Sequence, residues 1–248
     1  MPESDYGPTT YGDRWAELYD QWVAGLRLDT EGAVEFLVGM AGTGPVLELA
    51  IGTGRVAIPL AQRGIGVQGI DASEAMVGKL RAKPGGESIP VTIGDFADVA
   101  VEGRFSLIFV VFNTLFALLD QEAQVRCFRN VAGHLAEGGA FVVEAFVPDV
   151  ARFDRGQRTD AVRVATDHVY LDAARLDLIA QRIDSQQIMI EGGRVRLFPV
   201  KLRFAWPSEL DLMARLAGLR LRERWASWDR QPFTASSGKH VSVYEAAA

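Results

Sequence analysis

The chain has 248 residues, 48% of them hydrophobic and 23% charged, which suits one compact domain with a sizeable core. A net charge of −6 and the dispersed Lys and Arg residues argue against a nucleic-acid partner. The single cysteine, Cys127, fits a reducing compartment because it cannot form an internal disulfide.

Two further segments bear on location. Residues 1–5 lack the basic and apolar regions of a signal peptide. The longest apolar run, 107–119, is interrupted by Asn113 and Thr114 and is too short to span a bilayer. We therefore expect a cytoplasmic protein with no membrane partner.

Helices and strands alternate between residues 13 and 146. In chain order, the sequence predicts helix 13–26, helix 31–40, strand 45–50, helix 54–63, strand 67–71, helix 73–82, strand 89–93, strand 105–112, helix 120–136 and strand 139–146. Asp120 is the expected N-cap of its helix, and Gly138-Gly139 is expected to close it. The apolar run 107–112 is typical of a parallel sheet covered on both faces.

The pattern changes after Pro148. β-branched residues alternate on both sides of Gly192-Gly193, which predicts a hairpin, and further strands are expected at 162–170 and 175–184. Together they predict an antiparallel insertion over 150–205, too small to fold independently. It is followed by a helix at 207–217 and a final strand pair, 219–227 and 239–245.

The most informative segment is 46–55. A strand there leads into the turn Gly52-Thr53-Gly54, which opens a helix, and the next strand ends at Asp71. Such glycines let the backbone approach a ligand, the helix N-terminus offers free N–H groups, and the acid can accept hydrogen bonds from two ribose hydroxyls. The arrangement predicts a nucleotide-like ligand.

One alternative is an NAD-dependent oxidoreductase. Residues 52–57 match the dinucleotide fingerprint G-x-G-x-x-G/A, with Asp71 near the expected distance. Glu48 near the end of the first strand, Asp95 directly after the third strand and the terminal antiparallel pair count against it.

These three features and the motif Glu48-Leu49-Ala50-Ile51-Gly52-Thr53-Gly54 resemble the class I S-adenosylmethionine-dependent methyltransferases, with Ala50 in place of the first family glycine. The layout of the flanks, with two N-terminal tyrosines and the insertion, resembles the small-molecule N-methyltransferases of antibiotic pathways, which act on amino-sugars and lincosamide-type amines. The resemblance implies a doubly wound α/β fold with a mostly parallel, Rossmann-like seven-stranded sheet and the antiparallel insertion after the fifth strand.

The resemblance also implies how one domain, 1–248, is divided. The parts are an N-terminal helical lid (1–42), a cofactor-binding core (43–147), the insertion (150–205) and a C-terminal helix and strand pair (206–248). In this family such an insertion covers the acceptor site, mediates oligomerisation, or does both. We therefore expect a homo-oligomer formed through the insertion, whose apolar face and strand edges need cover.

S-adenosylmethionine is the cofactor that the resemblance implies, with S-adenosylhomocysteine as product and no metal. The implied cofactor-binding residues are Tyr19, Glu48, Ala50, Gly52, Gly54, Arg55, Asp71, Ala72, Met76, Asp95, Phe96 and Phe112. Asp71 would bind the ribose, Glu48 the methionine amino group, and Asp95 the adenine amino group. Each also has a purely structural interpretation: Asp71 with Ser73 can cap the next helix, Glu48 can be a buried carboxylate held by backbone amides, and Asp95 can be a turn acid. Met76 can pack in the core.

The expected acceptor site consists of Tyr11, Tyr19, Asn113 and Phe116. A tyrosine hydroxyl would bind the methionine carboxylate or orient the acceptor amine, and aromatic faces favour a sulfonium or an ammonium-like centre. Core packing of the tyrosines and a loop-structuring role for Asn113 are the alternatives.

The expected reaction is methyl transfer to a small-molecule acceptor, preferably at an amine nitrogen. An amine needs only a weak base, and the sequence shows no His–Asp pair suited to deprotonate a hydroxyl. O-methylation of a small hydroxylated acceptor and a non-catalytic cofactor-binding module stay open.

Overall fold

The computed structural model describes residues 6–26 and 28–247. The strands are Val46–Leu49 (β1), Val67–Asp71 (β2), Val91–Ile93 (β3), Phe105–Val110 (β4), Leu135–Phe146 (β5), Gln157–Val164 (β6), His168–Asp177 (β7), Arg182–Glu191 (β8), Arg194–Arg203 (β9), Leu219–Trp225 (β10) and Lys239–Ala246 (β11). The α-helices are Thr10–Trp15 (α1), Tyr19–Gly25 (α2), Thr30–Ala41 (α3), Ala57–Gln62 (α4), Glu74–Arg81 (α5), Gln121–His134 (α6) and Pro207–Leu216 (α7). Short 3-10 helices lie at Thr114–Ala117 and Val150–Arg152.

The central sheet has seven strands in the order β10-β11-β5-β4-β1-β2-β3. β1 to β5 run parallel, whereas β11 pairs antiparallel with both β5 and β10. A second, four-stranded antiparallel sheet, β6-β7-β8-β9, follows β5 in the chain. The predicted fold class is therefore confirmed, including the insertion after the fifth strand.

Both faces of the central sheet are covered. Along β4, Ile108 and Val110 belong to the apolar cluster under α6 and α7, whereas Leu107 and Phe109 belong to the cluster under α3 and α4. This alternation explains why the strand reads as a continuous apolar run. Because β1 to β5 are parallel, their carboxyl ends lie together at one edge of the sheet. Ligands bind at this edge in such folds.

The N-terminal segment differs from its prediction. The expected helix 13–26 is two short helices, separated at residues 16–18. Trp15, fully buried, lies with its ring centroid 4.7 Å from that of Trp22 and 4.4 Å from that of Phe198 in β9. Packing of Trp15 against the insertion therefore outweighs continuation of the helix, because local helix propensity is weak and tertiary contacts override it. Residues 1–5, on which the signal-peptide prediction rests, lie outside the described residues.

Two boundaries were also wrong around α6 and β5. Asp120 does cap α6, because its Oδ1 accepts the N–H of Ala123 at 2.7 Å. Gly138-Gly139, however, lies inside β5, where the register with β4 shifts. Gly138 has φ 72°, and a Cβ at Gly139 would lie 2.9 Å from the carbonyl oxygen of Phe105. The glycines serve a β-bulge rather than a helix end.

Within the insertion, the hairpin at Gly192-Gly193 is confirmed, but the strands predicted at 162–170 and 175–184 run across turns. Residues 165–167 and 178–181 are the connections. At the second, Asp177 Oδ1 accepts the N–H groups of Ile179 and Ala180, both at 2.9 Å. This Asx-type turn was the missed signal.

Candidate active site

The glycine turn after β1 is fixed by Asp71 at the tip of β2. Asp71 Oδ2 accepts the N–H of Gly52, and Oδ1 accepts the N–H of Ser73, both at 2.8 Å. Gly52 has φ 57° and Gly54 has φ 79°, a region that favours glycine. A Cβ on Gly54 would also lie 2.9 Å from the side chain of Leu80 in α5, so the turn packs closely against that helix. The turn is therefore held in place, with Gly52 partly exposed and Thr53 and Gly54 buried.

A cavity of about 280 Å³ lies beside this turn; we call it the cofactor cavity. Of the predicted cofactor residues, those lining it are Tyr19, Ala50, Gly52, Asp71, Ala72, Met76, Asp95 and Phe96. Asp71 is 8% exposed, and its burial raises the pKa of the carboxyl, against the two backbone hydrogen bonds that lower it. Each Asp71 oxygen accepts one backbone N–H, which leaves further acceptor capacity for a ligand.

Glu48, Gly54, Arg55 and Phe112 do not line the cofactor cavity. Glu48 is 3% exposed, and burial raises the pKa of its carboxyl to about 8, although nearby Arg55 lowers it. Its Oε2 has no hydrogen-bond partner among the described residues. A buried polar atom without a partner is costly, and Glu48 Oε2 is therefore suited to accept a hydrogen bond from a ligand.

A larger cavity, of about 500 Å³, lies next to the first. Tyr6, Tyr11, Tyr19, Thr114 and Ala117 line both cavities. The rings of Tyr11 and Tyr19 meet edge to face with centroids 6.4 Å apart. Although the two tyrosines stand on different helices, the structure brings them together in the wall that the cavities share.

Phe112 and Asn113 line the larger cavity, whereas Phe116 lines neither cavity. Phe116 is fully buried, with its ring centroid 5.0 Å from that of Phe146. Its expected place in the pocket wall is thus corrected to a place in the core behind the wall. Asn113 Oδ1 accepts the N–H of Phe146 at 2.7 Å, so this side chain also structures the loop.

The sequence prediction missed the floor of the larger cavity, which the insertion supplies. Arg158 of β6, Asp172 of β7 and Gln187 of β8 come from three neighbouring strands. Arg158 Nη2 and Gln187 Nε2 donate to the two oxygens of Asp172, at 2.5 and 2.8 Å. Asp172 is 7% exposed, and burial raises its pKa against the charge of Arg158. Correct strand bounds would have placed these polar residues on one face.

None of the described histidines lines either cavity. His240 is buried, which lowers its pKa to about 3, and its Nδ1 lies 2.8 Å from Ser242 Oγ. Within the described ranges, no group of three or more His, Cys, Asp or Glu residues is arranged to hold a metal ion. No described helix is long and apolar enough to cross a membrane.

Comparisons with known proteins extend this picture. The methyltransferase domain family matches residues 46–139. The CcbJ methyltransferase of Streptomyces caelestis is 45% identical, with a TM-score of 0.93, over 98% of this chain and 100% of the relative. The cypemycin N-terminal methyltransferase of a Streptomyces species is 29% identical over 203 residues, 81% of this chain and 82% of the relative.

A third similarity concerns the fold alone. CalS10, an amino pentose methyltransferase of Micromonospora echinaspora involved in calicheamicin biosynthesis and solved with S-adenosylmethionine bound, is 18% identical, with a TM-score of 0.69. The match covers 91% of this chain and 96% of CalS10.

The glycine turn, the acid at the tip of β2 and the terminal antiparallel strands thus define a methyltransferase. Given 45% identity over nearly its whole length, the chain belongs to the class I S-adenosylmethionine-dependent methyltransferases. Its methyl donor is therefore S-adenosylmethionine, and the oxidoreductase and non-catalytic alternatives are not favoured.

Proposed function

We propose that this enzyme methylates an amine nitrogen of a small-molecule secondary metabolite, and that the larger cavity holds this acceptor. The observation that carries the proposal is the shared wall of Tyr11 and Tyr19 between the cofactor cavity and the larger cavity. A group in the larger cavity that approaches the cofactor past this wall lies beside these rings, and Tyr6, Thr114 and Ala117 complete the shared border. Aromatic faces stabilise both a sulfonium and an ammonium-like nitrogen.

The protonation of the tyrosines supports nitrogen rather than oxygen. Burial raises the pKa of Tyr19 to about 12 and that of Tyr11 well above its usual value. Both phenols therefore stay neutral near pH 7 and orient an acceptor by hydrogen bonding rather than deprotonate it. A neutral amine needs no stronger base, whereas a hydroxyl acceptor does.

The carboxylates that line the larger cavity also fit an amine; besides Tyr11 and Tyr19, the other ionisable lining residues there are Tyr6, Arg152, Arg158 and Lys201. Asp172, one of its carboxylates, is held by Arg158 and Gln187, and Asp149 is exposed. No histidine is among the lining residues of the described chain. The similarity to an N-terminal methyltransferase, an enzyme named for modification at a chain's amino end, points the same way.

The residues of the cofactor cavity fit S-adenosylmethionine. The free acceptor capacity of Asp71 suits the ribose hydroxyls, and Asp95 and Phe96, which line the same cavity, suit the adenine amino group and ring. The unpartnered Oε2 of Glu48 suits the methionine ammonium. When bound, S-adenosylmethionine supplies a methyl group already activated by its sulfonium.

The chain itself then contributes placement. Tyr11 and Tyr19 hold the acceptor nitrogen in line, and the wall formed with Trp22 and Phe112 excludes water. Orientation and desolvation of this kind are worth about 7–11 kcal/mol in favourable cases. The helices α1 and α2 serve as a lid, since Tyr11, Gly12 and Tyr19 line the cofactor cavity from above the turn.

The proposed homo-oligomer rests on the outer face of the insertion. Exposed apolar side chains on β6, β8 and β9 form this outer face: Val162, Val164, Ile190, Val195 and Leu197. Val164 is 71% and Val195 61% exposed. A cluster of exposed apolar residues on a sheet is typical of an interaction site. We place the enzyme in the cytoplasm, with no nucleic-acid or membrane partner.

The test pairs binding with chemistry. Calorimetry should show binding of S-adenosylhomocysteine and not of NAD. Radiolabelled S-adenosylmethionine should transfer methyl to amines such as N-methylglucamine, 3-amino-3-deoxyglucose and prolinamide, and mass spectrometry should place the label on nitrogen. Transfer to the hydroxyls of the same compounds, with the amines unmodified, would instead establish O-methylation.

A further inference from the structure

The wall of the larger cavity contains a strained turn directly after β4. Phe112 has φ 58° and Asn113 has φ 64°, two consecutive non-glycine residues in the left-handed region. Residues other than glycine rarely adopt this backbone conformation, and it persists only where the surrounding structure holds it. The turn sets the direction of the Phe112 ring, whose centroid lies 6.2 Å from that of Trp22 and 5.6 Å from the Arg55 guanidinium.

The turn is closed by its own hydrogen bond, from Thr114 N–H to the Val111 carbonyl oxygen at 3.2 Å, and is held from outside by the end of β5. Phe112 N–H donates to Glu144 Oε2 at 2.9 Å, and Asn113 N–H donates to the carbonyl oxygen of Glu144 at 3.1 Å. Phe146 N–H donates to Asn113 Oδ1 at 2.7 Å. Of these contacts, the side chain of Glu144 makes the one that reaches Phe112 itself.

The other oxygen of the same carboxylate faces the C-terminal part of the chain. Trp228 Nε1 donates to Glu144 Oε1 at 3.1 Å, and Lys239 Nζ lies 3.4 Å from it. Three donors therefore converge on one side chain. Only a carboxylate offers two acceptor oxygens and no donor, so neither glutamine nor a shorter residue can replace it fully.

We propose that Glu144 is a positioning residue for methyl transfer: it holds Phe112 and Asn113 in the strained turn and so fixes the aromatic wall against the acceptor. The inference rests on the proposed function of the larger cavity. Glu144 lines neither cavity, and it acts through Phe112. The bond that matters for catalysis is thus the one to Phe112 N–H, and the bonds to Trp228 and Lys239 keep the carboxylate aimed at it.

The first experiment is Glu144→Gln, assayed with the amine of the panel that is turned over fastest. Glutamine keeps one acceptor oxygen, but its amide nitrogen cannot accept a hydrogen bond. That nitrogen must face either Phe112 N–H or the donors of Trp228 and Lys239. Loss of the hydrogen bond to the charged Glu144 carboxylate should raise the KM for the amine substrate about tenfold or more. The Kd of S-adenosylhomocysteine should stay within about twofold, because Asp71 and the glycine turn are untouched. A KM and kcat equal to those of the wild type would overturn the proposal.

The second experiment is a rescue. In Glu144→Gln/Trp228→Phe the indole donor is gone, and the Lys239 side chain, 45% exposed, is free to turn into solvent. The amide can then turn its oxygen to Phe112 N–H and its nitrogen away. The KM of the double variant should return most of the way to the wild-type value. Trp228→Phe alone should raise the KM less than Glu144→Gln does, because Lys239 still holds the carboxylate. If Glu144 only stabilises the fold, the KM of the double variant should be no lower than that of Glu144→Gln. Loss of the contact between Trp228 and Phe36 would then only destabilise the protein further.

A readout without turnover separates this inference from the proposed function. In protein labelled with 5-fluorotryptophan, the ¹⁹F resonance of Trp22, assigned with Trp22→Phe, should shift or broaden in Glu144→Gln and return in the double variant. An unchanged Trp22 resonance in Glu144→Gln would show that Phe112 does not depend on Glu144. Failure of every amine to react would contradict the N-methylation proposal and leave this ¹⁹F result standing.

Discussion

Asp71→Ala should weaken binding of both S-adenosylmethionine and S-adenosylhomocysteine by about 2–4 kcal/mol, the value of a lost charge-assisted contact to two hydroxyls. That corresponds to a Kd raised roughly 30- to 700-fold. The structure adds a second effect: the N–H groups of Gly52 and Ser73 lose their acceptor. The free energy of unfolding should therefore fall by about 1–3 kcal/mol.

The assay is calorimetric titration with S-adenosylhomocysteine, with the melting temperature measured on the same preparation. Asp167→Asn is the matched control, because that carboxylate is 80% exposed, pairs with His168 and lies on the insertion. It should leave affinity and stability unchanged. Wild-type affinity in a folded Asp71→Ala protein would refute the assignment of Asp71 to the ribose.

Three further predictions follow from the same contacts. The pKa of Glu48 is raised to about 8 in the folded protein, so its contribution to stability is full below the unfolded pKa near 4.5 and is lost as pH rises through about 8. Glu48→Gln should flatten that fall in the melting temperature between pH 5 and 8; an unaltered pH profile would contradict the burial argument. Tyr11→Phe and Tyr19→Phe should each lower turnover about 5- to 100-fold while changing stability little, and normal rates in both would reduce α1 and α2 to a structural cover. Leu197 is 54% exposed on the outer face, and Leu197→Lys should dissociate the oligomer in light scattering. A monodisperse wild-type monomer would disprove the assembly.

The sequence was most informative where local pattern and global fold agree. The central strands and the glycine turn could be predicted because a buried parallel strand is apolar throughout and the turn needs glycine. Asp71 was placed correctly at a strand tip for the same reason. These features depend on residues close to one another in the chain.

Features that depend on distant packing were not predictable in the same way. The break between α1 and α2 follows from the contact of Trp15 with Phe198, which are far apart in sequence. The floor of the larger cavity needs the register of β6 to β8, and a shift of one residue would turn Asp172 outward. Glu144 reads as an ordinary strand residue until the turn at Phe112 is seen beside it.

The tyrosine wall has a thermodynamic consequence. Because Tyr11 and Tyr19 border both cavities, ordering them for one ligand changes the free energy of binding the other. Such coupling is reciprocal: whatever factor the methyl donor adds to acceptor affinity, the acceptor adds to donor affinity. S-adenosylhomocysteine would contact the same wall, so it should retain part of this coupling. It should then inhibit the enzyme by holding the acceptor in a complex that cannot react.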